Sequence, residues 1–347
     1  MGVDEFYEVV IVGAGPAGLM CAYELQKAKK RVLILEKNSE VGPKVCAGGL
    51  TTKIKNLGFS LEIAEILFSS VIVNVAGVQR FIVNQEPFVG TIERKELGQM
   101  MLQRLDPKLI DIRVSHPVVK IGDDYVEVMG QRMGYKHLVA ADGSNSLVRS
   151  YLGLPTKKFG LTIQYLVPQK FSTLELFFDA SLFGCGYAWI FPHQNYTSIG
   201  CGQFMDPRHG AKLREGFDRW LSLRGIRVDD GELQGGIINF DYRGFEFGNK
   251  FLIGDAGGFA SGFTGEGIYP ALVSGQEAAR KIINQSYRTK VITEILHIKR
   301  IHEALFSLCS LFSSLDNSGK LLNNFLRFTS LGFRSKILTK KAIQLFC

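Results

Sequence analysis

Glycines at positions 13, 15 and 18 form the spacing GxGxxG, and Glu36 follows at the end of the next apolar run. That set can hold a dinucleotide. Gly13 permits a tight turn out of a strand, Gly15 lets backbone approach a pyrophosphate, and Gly18 lets a helix pack close to a sheet. The Glu36 carboxylate can accept hydrogen bonds from an adenosine ribose. Cys46, in KVCAGGL, is a thiol on a loop of small residues, while Tyr187, Trp189 and Phe191 alternate in GCGYAWIFP. On a strand the three rings face one side, where they can line an apolar tunnel and offer ring faces to a developing carbocation. Each feature also has a plainer reading: a structural glycine turn, a small buried thiol, an aromatic core stripe. His193, just after Pro192, is weighed as an acid and read as a solvent-exposed loop histidine.

The elements that must position these residues can be read locally. Val9 to Val12 and Val32 to Leu35 are apolar runs of the kind that form fully buried parallel strands, with a helix between them whose N-terminus points free N–H groups at phosphate. Asn38 to Thr52 reads as a loop. Val71 to Val75 and Phe81 to Val83 suggest strands away from the nucleotide half, and Glu93 to Leu105 has helical spacing. Val118 to Ile121 and Tyr125 to Val128, joined by Gly122-Asp123-Asp124, signal a hairpin. The strand His137 to Ala141 ends in Asp142-Gly143-Ser144. Gly160 to Gly202 alternates as a broad antiparallel sheet would, the segment Ala211 to Leu223 is an amphipathic helix, and the strand Phe251 to Gly254 leads to Asp255 before a helix from Glu266 to Ile283. The fold class is therefore α/β, with a Rossmann-like domain interleaved with an antiparallel-sheet substrate domain and followed by a helical C-terminal segment.

The 347 residues are 46% hydrophobic and 21% charged, as in an ordinary globular protein. The acidic start MGVDEFYE carries no basic region ahead of an apolar one, and the longest uncharged run, Ala180 to Met205, is broken by Gly, Pro, His and Asn. A cytoplasmic location is expected. Six cysteines show no CxxC pair and no zinc or iron–sulfur spacing, so neither a metal site nor structural disulfides are expected. The net charge of +8 is largely a tail property: residues 290 to 347 hold nine Lys or Arg against three acids. No nucleic-acid partner is implied.

Four stretches together resemble the FAD-dependent oxidoreductases of the para-hydroxybenzoate hydroxylase fold. They are the N-terminal fingerprint; LVAADGSNSLVRSYLGL, with Asp142, Gly143, Ser146 and Arg149 in key places; FLIGDAGG, with Asp255; and TIERKEL, with Arg94. Within that superfamily three more stretches are similar to the geranylgeranyl reductase family. KVCAGGL matches its Cys-x-Gly-Gly loop; GCGYAWIFP matches PxxYxWxFP, with Gly184 in place of the first proline; and SGFTGEGIYPALVSGQEAA resembles its flavin-covering segment. The resemblance implies an FAD-dependent oxidoreductase that saturates C=C bonds of a prenyl chain in a lipid, quinone or related isoprenoid. It implies FAD contacts at Gly13, Ala14, Gly15, Ala17, Gly18, Glu36, Lys37, Cys46, Ala47, Gly49, Arg94, Val118, Asp142, Asp255, Gly265, Gly267 and Ile268. Cys46, Tyr187 and Trp189 are the catalytic candidates. The FAD-binding unit is drawn from residues 1–75, 90–158 and 245–285, the substrate unit from 76–89 and 159–244, and a helical basic segment from 286–347.

With no second GxGxxG there is no separate NAD(P) domain, and the reductant stays open among NADPH, ferredoxin or another donor. The C-terminal segment is read either as a basic helix on an anionic membrane or as a helix packed on its own domain. The main alternative function is an FAD monooxygenase hydroxylating an aromatic or quinone ring. A flavin halogenase, an electron carrier to quinone and a non-enzymatic flavin module are further alternatives.

Overall fold

A computed structural model describes residues 3–204, 210–315 and 319–330. Labels below run in chain order. The first sheet is centred on β1 (Glu5–Val12), flanked in parallel by β2 (Val32–Leu35) and β11 (Gln131–Ala140). β8 (Ile110–Arg113) continues it in parallel beyond β2 and β18 (Lys250–Leu252) in parallel beyond β11, with β17 (Glu246–Phe247) antiparallel on β18. The predicted hairpin, β9 (Val118–Ile121) and β10 (Tyr125–Val128), pairs antiparallel onto β11. β1 is apolar at every core position because both of its faces are covered. Val9 and Ile11 point into the layer of α1 (Pro16–Lys27) and α6 (Ile268–Ile283), while Val10 and Val12 point toward β9, β10 and α3 (Leu147–Tyr151).

The second sheet has the order β16 (Glu232–Asn239), β12 (Phe159–Val167), β15 (Thr197–Phe204), β14 (Gly186–Pro192), β13 (Leu174–Phe178), β5 (Ser70–Val75) and β6 (Val78–Val83). It is antiparallel except where β13 runs parallel to β5, Leu174 opposite Val71. β5 therefore belongs to this sheet, and the boundary drawn at residue 75 for the FAD-binding unit moves back to about residue 69. The reason is long-range: an alternating apolar strand can pair with either sheet, and its partner β13 lies a hundred residues downstream. One face packs on α5 (Gly210–Arg224), where the Phe177 and Trp220 rings meet edge to face at 5.0 Å. The other face lines a cavity. A small sheet of β3 (Gly49–Thr51), β7 (Val89–Thr91) and β4 (Ile66–Phe68), with α2 (Arg94–Leu102), joins the two halves.

The C-terminal segment forms α7 (Lys290–Leu315) and α8 (Lys320–Ser330). Both pack on their own chain. Ile292, Phe306, Cys309 and Leu322 are buried, and Asn323 bridges to α4 (Ala180–Phe183) by accepting the Ala180 amide at 2.8 Å. Four of the basic residues counted in this segment, Arg334, Lys336, Lys340 and Lys341, lie outside the described residues. Among the described residues no helix is long and apolar enough to cross a membrane.

Candidate active site

The turn after β1 needs glycine. Gly13 has φ +101°, and a Cβ there would lie 2.4 Å from the Ala141 carbonyl oxygen. Gly18 packs the helix down, since its Cβ would sit 2.2 Å from Gly13 O. Around Gly15 the space is open, and α1 begins there with Pro16 and no side-chain cap, so its first N–H groups remain available to an anion. At the tip of β2 the buried Glu36 accepts the Ala14 amide at 2.8 Å and the Asn38 amide at 2.9 Å. The carboxylate is held rigidly beside the glycine turn.

Asp255, beyond β18, brings three distant stretches together. Its Oδ2 accepts from Lys44 Nζ at 2.6 Å and Ser144 Oγ at 3.2 Å, and its carbonyl accepts from Asn239. Asp142 caps α3 through the Leu147 amide at 2.7 Å, while its Oδ1 is buried without a partner, and burial pushes the carboxyl up. Arg149 is 2% exposed and donates to the carbonyls of Leu154, Ala256, Pro155 and Asp241. It is a brace under the cofactor loops rather than a ligand. Arg94 opens α2, 9% exposed, with Nε unpartnered.

Apart from Gly18, Asn239 and the bracing Arg149 with its acceptors, these residues line one cavity of about 1620 Å³, beyond the roughly 300–1,000 Å³ of ordinary small-molecule sites. Every residue expected to touch FAD is on its wall except Gly18, whose place is against Gly13. Val118 reaches it from the first residue of β9. The glycine cradle, the open helix N-terminus and the orphaned polar atoms of Arg94 and Asp142 fit a dinucleotide.

The same cavity runs under the second sheet. Tyr187, Trp189 and Phe191 of β14 all face it, beside Val71, Val73 and Val75 of β5 and Leu174, Leu176 and Phe178 of β13. The polar ends of the first two rings are occupied: Tyr187 Oη donates to Thr264 O at 2.6 Å and Trp189 Nε1 to Ser198 Oγ at 3.0 Å. Phe306 and Cys309 of α7 and Phe325 and Leu326 of α8 close the far end. Gly184, which stands where the family motif has proline, ends α4 at φ +56°, a value proline cannot adopt. Cys46 is on the wall, and the Gly48 amide donates to its Sγ at 3.4 Å. The exposed-loop reading of His193 is wrong, since only 3% of it is exposed. Its burial depends on Glu65 and Ala47, which local pattern cannot supply.

One wall residue carried no expectation of its own. Glu266 accepts from Thr51 Oγ1 at 3.3 Å and Lys53 Nζ at 3.2 Å; burial pushes its carboxyl up, partly opposed by Lys53. Its signal in the sequence was an acid inside a glycine-rich, otherwise apolar segment.

A model of the NAD(P)-binding Rossmann-like domain matches residues 11–48. An uncharacterized protein of Methanosarcina barkeri is 31% identical over 300 residues, 82% of this chain and 76% of its own. The digeranylgeranylglycerophospholipid reductase of Methanocaldococcus jannaschii is 25% identical, with 84% and 82% covered. The chain belongs to the geranylgeranyl reductase family. As a member it is a flavin-dependent oxidoreductase, and its cofactor is FAD. The family fold extends to nearly the whole chain: a geranylgeranyl bacteriochlorophyll reductase-like protein of Thermoplasma acidophilum superposes with a TM-score of 0.75 at 19% identity, covering 98% of this chain and 96% of its own.

Proposed function

We propose that the chain saturates C=C bonds of a prenyl chain carried by a lipid, quinone or related isoprenoid. The observation that carries this reading is the continuity of one cavity from the dinucleotide cradle into a chamber walled by Val, Leu and aromatic side chains. Reduced FAD, when bound, supplies the hydride. An isolated alkene accepts hydride only if a proton reaches its other carbon, so positive charge builds at the more substituted position. Tyr187 and Trp189 line the chamber, and an aromatic ring beside a developing cation can stabilise that charge. Their polar groups cannot compete, being bonded to Thr264 and Ser198. Burial pushes the Tyr187 phenol up, so it keeps its proton and acts as a wall.

Glu266 is the wall carboxyl placed to hold the proton, with Lys53 behind it as the link toward solvent. Cys46, within electrostatic reach of Tyr187, sits where the thiol loop meets the chamber and shapes the approach of the alkene to the flavin. Gly13, Ala14, Gly15 and Glu36 take the adenosine and pyrophosphate part of FAD; Arg94, Asp255, Gly267 and Ile268 take the remainder. A lipid of this kind is met at a membrane surface, and the outward Ile301 and Leu308 of α7 are the apolar residues offered to one.

Mass spectrometry of lipids and quinones from cells with and without the protein tests the reading. Gains of two hydrogens per double bond are expected. Added oxygen, the mark of a hydroxylase, or unchanged masses would overturn it.

A further inference from the structure

Both ring nitrogens of the buried His193 face acceptors. Nδ1 lies 3.3 Å from Glu65 Oε2 and Nε2 lies 3.0 Å from the Ala47 carbonyl oxygen. With Glu65 ionised, both contacts are with acceptors, and a ring that donates from both nitrogens, an imidazolium, is the form that meets them. Tyr196 stacks on it with centroids 4.4 Å apart and planes 18° from parallel. Glu65 is the countercharge. It also accepts the Gln194 amide at 3.1 Å and the Glu93 amide. Burial pushes the Glu65 carboxyl up, but the bonds from His193, Gln194 and Glu93 outweigh it and leave it below the ordinary carboxylate value.

The segments joined by this pair are the ones that carry the chemistry. Ala47 follows Cys46. Gly48 is gripped from two sides: its carbonyl accepts the Ile92 amide at 2.9 Å, and a Cβ on it would lie 2.6 Å from His193 Cε1 and 2.4 Å from Ile92 O. Its amide in turn donates to Cys46 Sγ. Glu93 immediately precedes Arg94, and Thr91 Oγ1 ties β7 to the end of β14 by donating to Pro192 O at 2.6 Å.

We propose that the His193–Glu65 ion pair is a positioning device, setting the Cys46 loop, Arg94 and the aromatic strand β14 in register around the flavin. The bearing of the pair on turnover rests on the reading of Cys46 given above; the clamp itself does not. A buried ion pair often contributes little stability compared with apolar replacements, so its contribution here is to geometry.

The test uses the FAD-loaded protein and the variants His193→Gln, Glu65→Gln and the double variant. Three quantities are read: the rate at which iodoacetamide alkylates Cys46, the visible circular dichroism of bound FAD, and the thermal midpoint. Each single variant is expected to change the alkylation rate by roughly tenfold and to alter the flavin dichroism, with the double variant no worse than the larger single one. Unchanged rates and dichroism in folded variants, or effects that multiply in the double variant, would overturn the proposal. If the variants do not fold, nitrogen NMR of the wild-type protein decides at neutral pH: protons on both His193 nitrogens support the clamp, and a bare nitrogen overturns it. None of these readouts needs a prenyl substrate, so a failure of the proposed activity leaves them interpretable.

Discussion

Among the described residues the Cys46 sulfur accepts one polar bond, from the Gly48 amide at 3.4 Å, and the other expected cofactor contacts make no bond to it. Cys46→Ala is therefore expected to keep FAD bound and to slow substrate reduction by roughly tenfold or more, with KM little changed. Single-turnover kinetics of the loaded variant check this, and unchanged turnover would remove the thiol from the chemistry. What could be read residue by residue was whatever depends on near neighbours. Gly13 and Glu36 announced themselves because the turn, the helix and the acid lie within one strand–helix–strand unit. His193 and Glu65 could not, because their partnership spans 128 residues and exists only once β14 meets the small sheet. Glu266 was quoted in its motif without a role for the same reason, its partners Thr51 and Lys53 lying more than 200 residues upstream.

Among the elements, the alternation of β14 was legible because period two is imposed by the strand itself: Tyr187, Trp189 and Phe191 face the cavity, while Ala188 and Ile190 pack toward α5. The placement of β5 was less so, since the apolar pattern specifies a strand without saying which sheet will take it. α7 shows a further limit. Its basic residues left a membrane-facing helix and a helix packed on its own domain equally readable, and Lys299 falls on the packed side: it is 4% exposed and donates to Ala260 O at 2.7 Å, just before the segment Ser261 to Gly267. Burial lowers its amine from 10.5 to about 8, partly opposed by Glu303. Between those two values the folded chain binds fewer protons than the unfolded one, so stability rises with pH across the window. Relative to Lys299→Met, the wild type is expected to gain roughly 3 kcal/mol between pH 8 and 10.5, with a constant difference below. Urea unfolding of both proteins across that range checks it. A flat difference would mean that Lys299 is not buried as a cation.

At the scale of the whole molecule, function follows from interleaving. The chain leaves the parallel sheet twice to build the second sheet, and α7 and α8 close the far end of the chamber that results. A polar cradle and an apolar chamber thus share one cavity although their residues alternate along the sequence. The most direct measurement of that claim is visible absorbance without oxygen: the FAD in the loaded protein is reduced, and the prenyl lipids and quinones extracted from its own cells are added. The oxidised flavin band should return before any oxygen is admitted, with two hydrogens gained by the lipid per flavin oxidised. A flavin that stays reduced beside the lipid until oxygen enters would contradict the account.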